Sequence, residues 1–566
     1  MFDTSQGSGT VAGEESVQSE HENPDRIEAV GEAIENVFGG RGTPLEHFSM
    51  PEFRPHQRET IEEINDAFER GYRYVLVQAP TGSGKSRVAE AFAFASDNAY
   101  IITPQKILQD QYRRDFPNME VMKGRSAYTA AYQHTVDTFR GGIEYSGPEI
   151  TCQDCICRKI KDVDRTVCPY NQAIITAQTK PVVVHNFDSF MYQNLAHASK
   201  GGLWPGRKLL IVDECHAIEN KLMDFVSFTI SNRDVAGLQI PRFDIIEQYD
   251  DFLEDVYQRL AARISRLRAL VEEGLLADSE LKELDNLTRL FGKIGMFQWS
   301  RKGQNPVEYV FDYTGSPYQS VSFKPVTVGS FAYRNLFCRG ERLLLMGATV
   351  LDKEMFCQSV GLNPSEVYYV DVESFFPVDN HRVVHSYVGP MSFRHIDRNL
   401  PSMVDKIEDI LDRFPNTKGI IQTHSEKIAK YIQENLKNER LTFNKDFPTP
   451  QEMLEFHSMK DASVIVASGL REGIDLYGDL SQLQIFCKVP YPSLADKQVK
   501  RRMEIDKRWY GFLTTMSFVQ ALGRSIRSSD DKAVTYLLDG DFKRFYGMCK
   551  QYFPTHIRRA VGRGHE

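Results

Sequence analysis

Nowhere in the chain is there the unbroken apolar run of ~18 residues that a membrane-spanning helix needs. The longest largely apolar stretch, Leu343–Leu351, is only the size of a strand. The start, Met1-Phe-Asp-Thr-Ser-Gln, lacks the basic and apolar regions of a secretory leader, so a cytoplasmic protein is expected. An excess of positive charge is missing too: 68 Lys and Arg face 77 Asp and Glu, a net charge of −9. That balance does not exclude nucleic acid, because binding needs only a local basic groove. Cysteines are few and odd in number, nine in all, which argues against a secreted disulfide framework. Short-period repeats are absent.

What is present is a globular composition, 41% hydrophobic and 26% charged, which excludes disorder or collagen for the bulk of the chain. With 566 residues, several domains are expected rather than one core. The charge is uneven. Seven of the acids lie within residues 1–30 against the single Arg26, whereas Lys543 to Glu566 holds six Lys or Arg and one acid. Residues 1–45 read as a disordered acidic tail with a short helix from Arg26 to the Gly39-Gly40 pair.

Strand-like runs then alternate with helical patterns. Tyr74–Gln78, Ala99–Thr103 and Lys208–Asp213 read as buried parallel strands, and a second set follows at Lys418–Gln422, Ala462–Ala467, Leu483–Lys488 and Ala533–Leu538. This spacing predicts two α/β sheet domains, 46–375 and 376–566. Two stretches break the rhythm. Residues 120–180 carry Cys152, Cys155, Cys157 and Cys168 with poor periodicity, and in a cytosolic chain such a cluster reads first as a metal site. Within 220–325, Leu253, Val256, Leu260, Ile264, Leu267 and Val271, then Leu281, Leu284, Leu287 and Phe291, fall at helical spacing and predict an inserted helical hairpin.

Chemistry enters at Ala79-Pro80-Thr81-Gly82-Ser83-Gly84-Lys85-Ser86, between the first strand and its helix. Such a turn offers backbone N–H groups and a helix N-terminus to phosphates, with Lys85 reaching the β- and γ-phosphates and Ser86 able to hold Mg²⁺. The usual first glycine of this motif is Ala79. At the end of the 208–213 strand, Asp213 can hold Mg²⁺ and Glu214 can orient and deprotonate an attacking water.

In this order the motifs resemble a superfamily 2 helicase, and the resemblance extends over about 53–545. Arg54-Pro-His-Gln57 is similar to the adenine-side glutamine motif, Thr103–Gln111 to the first DNA-contacting motif, and Leu345–Thr349 to the coupling motif, with Gly347 in place of Ser. Gly473-Ile-Asp475 and Gln520–Arg527 resemble motifs V and VI. Lys488–Asp496, Lys123-Gly-Arg-Ser and Val183–Phe187 resemble the XPD/DinG branch. The resemblance implies two RecA-like domains, the first carrying a cysteine-rich and a helical arch insertion. It also implies ATP with Mg²⁺, and unwinding of forked or tailed duplex by 5′→3′ movement of a monomer on single-stranded DNA. Gln57, Gly473 and Asp475 would contact nucleotide. Gln520 would help place the water or γ-phosphate, and Arg524 and Arg527 would act as arginine fingers. His216 and Thr349 would link hydrolysis to domain movement.

The family holds a 4Fe–4S cluster on four thiolates in the cysteine segment, and its first ligand position is here Ala130. Cys157 is the nearby replacement. A cluster with shifted ligands, a Zn²⁺ site and free thiols all remain open. The other five, Cys215, Cys338, Cys357, Cys487 and Cys549, read as buried small hydrophobes. Thr103, Asn186, His424, Ser425 and Arg471 are candidates for the nucleic-acid track. The basic run Lys497, Lys500, Arg501, Arg502 is either such a patch or a solvated helix face. Alternatives to a DNA helicase are a DEAH-type RNA helicase and a nucleic-acid-binding scaffold with a dead ATPase.

Overall fold

The structure, a computed structural model, describes residues 42–133, 149–159, 163–198, 201–235, 237–274, 276–302, 304–315, 319–468, 476, 478–526 and 531–562. Residues 1–41 of the expected tail, with its helix, and Arg471, Gly473, Asp475 and Arg527 lie outside them, whereas Pro44 is buried and Leu45 packs against the core.

Sixteen strands are described in chain order. The first ten are β1 Tyr74–Gln78, β2 Ala99–Thr103, β3 Glu120–Val121, β4 Val182–Asn186, β5 Arg207–Asp213, β6 Phe228–Ser231, β7 Tyr309–Thr314, β8 Ser320–Pro325, β9 Gly340–Gly347 and β10 Val367–Asp371. The remainder are β11 His381–Gly389, β12 Gly419–Gln422, β13 Leu441–Phe443, β14 Val464–Ala467, β15 Leu483–Phe486 and β16 Ala533–Asp539. They form a seven-stranded sheet in the order β10-β1-β9-β5-β2-β4-β3, a six-stranded sheet β11-β16-β15-β12-β14-β13 and a small sheet β6-β8-β7. Every pairing in the two large sheets is parallel, and the small sheet is antiparallel.

The expected strands are buried on both faces because their side chains alternate between two apolar layers. In the first sheet Leu76, Ile102, Leu210, Val212 and Leu345 pack into one core cluster, while Val75, Val77, Ile101, Ile211 and Leu344 pack into the other. The first of these cores continues without a break into both insertions. It takes in Cys152, Cys155, Cys157 and Cys168, and also Leu253, Val256, Leu260 and Ile264.

The helical hairpin is present as two 24-residue helices, Tyr249–Glu272 and Asp278–Arg301. The periodicity gave no sign of the small sheet at its base, whose strands are short and half polar. Its edge strand β7 buries only Tyr309, the rest being partly buried or exposed. The periodicity likewise gave no sign of the short strands β3, β10 and β13 or of the nine-residue β11. One cysteine expectation is corrected: Cys338 is exposed, on a short turn before β9, where its thiol donates to the Arg334 carbonyl at 3.2 Å. Among the described residues, no helix is long and apolar enough to cross a membrane.

Candidate active site

Strand register brings the motifs together. Gln78 at the end of β1 lies opposite Gly347 on β9, and Asp213 at the end of β5 lies opposite Met346. The chain leaving each strand therefore enters one cleft at the carboxyl edge of the sheet, where parallel α/β folds place their ligands.

Gly82 and Gly84 have φ of 82° and 85°, a region open to glycine. A Cβ on Gly84 would come within 2.4 Å of Gln57 Nε2, so the contact also demands a residue without a side chain. Two neighbouring side chains fix the loop. Arg54 donates to the Gly82 carbonyl at 2.6 Å and Gln57 to the Gly84 carbonyl at 3.1 Å. Gln57, expected at nucleotide, is thus buried and engaged in shaping the loop. Lys85 Nζ folds onto the carbonyls of Ala79 and Pro80 at 3.2 and 3.3 Å. Ser83 Oγ is buried without a hydrogen-bond partner. An orphaned hydroxyl and a lysine folded onto two carbonyls fit a loop built to receive an anion.

Asp213 is buried, and its carboxyl is pushed up to about 6 by desolvation and by Glu214, against the pull of Lys85. The Tyr112 hydroxyl donates to Asp213 Oδ2 at 3.0 Å and also meets Ser86. Ser86 and Asp213 therefore converge on one point, a hydroxyl and a carboxylate suited to Mg²⁺. Glu214 has a left-handed backbone, φ 53°, unusual for a glutamate and common where a side chain is aimed at a site. Its Oε2 stands 3.3 Å from His216 Nδ1. Gly347 explains the departure from the usual serine, since a Cβ there would lie 3.3 Å from Cys215 Sγ.

The second sheet completes the cleft. The Lys507–Leu522 helix ends where buried Gln422 Nε2 donates to the Ala521 carbonyl at 2.9 Å and Ser481 bonds Ser525 at 2.6 Å. This anchoring directs Gln520 and Arg524 at the first sheet. Gln520 Nε2 donates to Thr349 Oγ1 at 3.1 Å, and Arg524 is buried. A cavity of about 870 Å³ lies between the two sheets, lined by Pro80, Thr81, Glu214, His216 and Thr349 on one side and Gln520, Gly523 and Arg524 on the other.

The four cysteines of the insertion are buried and adjacent. Cys168 Sγ lies 3.8 Å from Cys152 Sγ, and Cys157 meets both Cys155 and Cys168. The hydrogen bond from Cys157 draws the Cys155 thiol down to about 6 and pushes Cys157 up, while burial raises Cys152 to about 11. Ala130 faces Ile150 across a short pairing that sets Cys152 beside Tyr128 and Thr129. The thiols touch in a chain, and among the described residues no group of three or more His, Cys, Asp or Glu is arranged to hold a metal ion. The donor chemistry nonetheless suits a thiolate-bound group, with cationic Lys159 and Arg125 alongside. Ion pairs tie this segment to the hairpin: Arg158 to Asp285 at 2.6 Å and Lys159 to Asp278 at 2.7 Å.

The other nucleic-acid candidates mostly have local duties. Thr103 is buried, Asn186 accepts from Ser189 N at 2.7 Å as a helix cap, and Ser425 caps the Glu426–Asn435 helix. The basic run is in part a solvated helix face, with Lys497 and Lys500 exposed, and in part engaged within the chain. Lys497 pairs with Asp312 at 2.8 Å and Arg501 with Glu308 at 2.6 Å, both at strand β7, and Arg502 is buried against Trp509. Lys324 to Asp496 at 2.6 Å and Gln498 to the Val326 carbonyl at 2.9 Å complete a clasp between the second sheet's domain and the base of the hairpin.

Comparison with known proteins agrees with this architecture. Residues 421–560 match the helicase C-terminal domain family, and residues 50–235 match the type III restriction enzyme res subunit family. The chain is 23% identical over 594 aligned positions to the ATP-dependent DNA helicase YoaA of Escherichia coli (strain K12), with 87% of this chain and 92% of that one covered. A solved XPD helicase superposes with a TM-score of 0.61 at 14% identity, covering 91% of this chain and 99% of the other. The S. tokodaii Xpd4 structure gives 0.56 at 15% identity, covering 88% and 98%. The two parallel sheets thus have the fold of the solved XPD helicases, and the matched domains and relative make the chain similar to superfamily 2 helicases of the XPD/DinG type.

Proposed function

We propose that this protein is an ATP-dependent DNA helicase that moves 5′→3′ as a monomer on single-stranded DNA and opens forked or tailed duplexes. The observation that carries the reading is the contact of Gln520 with Thr349 across a cleft that also holds the phosphate loop, Glu214 and Arg524. Lys85 exchanges its carbonyl partners for the β- and γ-phosphates of ATP. Ser86 and Asp213 would hold Mg²⁺, which would supply charge neutralisation at the phosphates. Glu214, next to His216, orients the attacking water and takes its proton. Arg524 offsets charge that builds up on the transferring phosphoryl group, and it does so only while the two sheets are closed. Arg527 is proposed to act as a second arginine finger, and Gly473 and Asp475 to contact nucleotide, as the resemblance implies. Loss of the γ-phosphate relaxes the Gln520–Thr349 contact, and the clasp at Lys497 and Arg501 carries that movement to the hairpin.

Cys152, Cys155, Cys157 and Cys168 are proposed to hold a 4Fe–4S cluster as thiolates, with Cys157 in the place that Ala130 leaves. Support comes from their shared burial and from the scarcity of regular structure among the described residues around them. A steady-state ATPase assay with no nucleic acid, single-stranded DNA or single-stranded RNA, alongside forked-duplex unwinding, tests the reading. DNA-stimulated turnover with ATP-dependent strand separation is expected. Stimulation by RNA alone would favour an RNA helicase, and no turnover would favour a scaffold.

A further inference from the structure

The Lys106–Asp115 helix has two buried residues, Gln109 and Tyr112. Gln109 Nε2 donates to the Met122 carbonyl at 2.9 Å and its Oε1 accepts from Asn186 at 3.4 Å, so the helix is seated on β4. Tyr112 reaches the other way, with its hydroxyl on Asp213 and Ser86, the two groups that converge for Mg²⁺. Its ring packs on Phe116 at 5.3 Å, and Phe116 lies 4.4 Å beneath the guanidinium of Arg87, the neighbour of Ser86. The opposite face of the helix is open. Ile107, Gln111 and Arg114 are exposed and line the cleft between the sheets.

We infer that Tyr112 is a positioning residue for the metal–nucleotide site, and that through it the 106–115 helix conveys nucleic-acid contact to hydrolysis. One hydroxyl shared by a carboxylate and a serine fixes their separation, as outer hydrogen-bond partners fix ligands at metal sites. A stiff helix with its open face on the cleft and its buried hydroxyl on the ligands would change that geometry when nucleic acid bound at the open face shifts it. The inference rests on the ATPase reading above for its second half only, because the first half concerns Mg²⁺ geometry without turnover.

Tyr112→Phe tests it, since the ring and its packing on Phe116 stay while the hydroxyl goes. The probe is Mn²⁺ with ADP, followed by electron paramagnetic resonance without any catalysis, beside the ratio of DNA-stimulated to basal ATPase. Mn²⁺·ADP affinity should fall about ten-fold or more, metal-free ADP affinity and the thermal midpoint should stay as in the wild type, and the stimulation ratio should drop towards one. Arg114→Ala, on the open face, should lower the ratio and leave Mn²⁺·ADP binding untouched. Unchanged Mn²⁺·ADP affinity in folded Tyr112→Phe would overturn the positioning role, and an unchanged ratio in both variants would overturn the coupling. A wild type that ignores DNA would refute the ATPase reading instead, with the Mn²⁺ result standing on its own.

Discussion

At the carboxyl edge of the first sheet, β1, β9 and β5 hold one another in register, and the catalytic candidates sit on the residues where the chain leaves them. Between Arg125 and Cys168, by contrast, the described backbone has two short 3₁₀ turns and one isolated bridge, Thr129 to Thr151. The first region positions its side chains by backbone hydrogen bonds that need no particular side chain to form. The second relies on side chains to hold the backbone: four buried thiols within, and Arg158 and Lys159 on the hairpin without. Hydrolysis is assigned to the ladder-built region and strand separation to the side-chain-built one, so damage to each should have a different signature.

The largest effect should come from the cleft itself. Lys85→Ala and Glu214→Gln should each lower DNA-stimulated turnover by about a hundred-fold or more. They should differ in binding: a fluorescent ATP analogue should bind Glu214→Gln as it binds the wild type and Lys85→Ala more weakly. Near-normal turnover in Glu214→Gln would remove it as the base. Next, Cys168→Ser should remove iron and nearly abolish unwinding while ATP turnover stays within about ten-fold of the wild type, as measured by iron assay and a forked substrate. Cys157→Ser should behave alike if Cys157 stands in for the missing thiol at Ala130, and full iron content would place the fourth ligand elsewhere.

A smaller effect separates the clasp from both regions. Arg501→Glu should slow unwinding about two- to five-fold with basal ATPase unchanged, and adding Glu308→Arg should restore it. Failure of the charge swap would mean that the pair is ornamental. Smallest of all, Gly347→Ser should lower stability by about 1 kcal/mol in thermal unfolding, because its Cβ meets Cys215 Sγ, and Cys215→Ala should relieve it.

The same contrast explains what the sequence disclosed. Lys85, Asp213 and Glu214 were legible because a phosphate loop and a strand-end carboxylate pair depend on neighbours in sequence and on regular strands. Gln57 was found, but its hold on Gly84 was not, since nothing local says which carbonyl an amide will meet. Tyr112 was passed over although it follows Gln111 directly. Its spacing of three from Gln109 puts both on one helix face, the only signal available. The ion pairs of the basic run at 497–502 could not be read from one segment, because Glu308 and Asp312 lie far away in the chain, just before and on a strand with little apolar pattern. The cysteines announced a cluster by their spacing, while their partners Asp278 and Asp285 belong to the hairpin and appear only in the folded chain.

The division of labour is tested most directly by following ATP consumption and strand separation in the same sample, on a forked DNA, for the wild type and Cys168→Ser. The wild type should separate strands only while it consumes ATP, and Cys168→Ser should go on consuming ATP with the strands left paired. Parallel loss of both activities in folded Cys168→Ser, or undiminished separation without iron, would contradict the account.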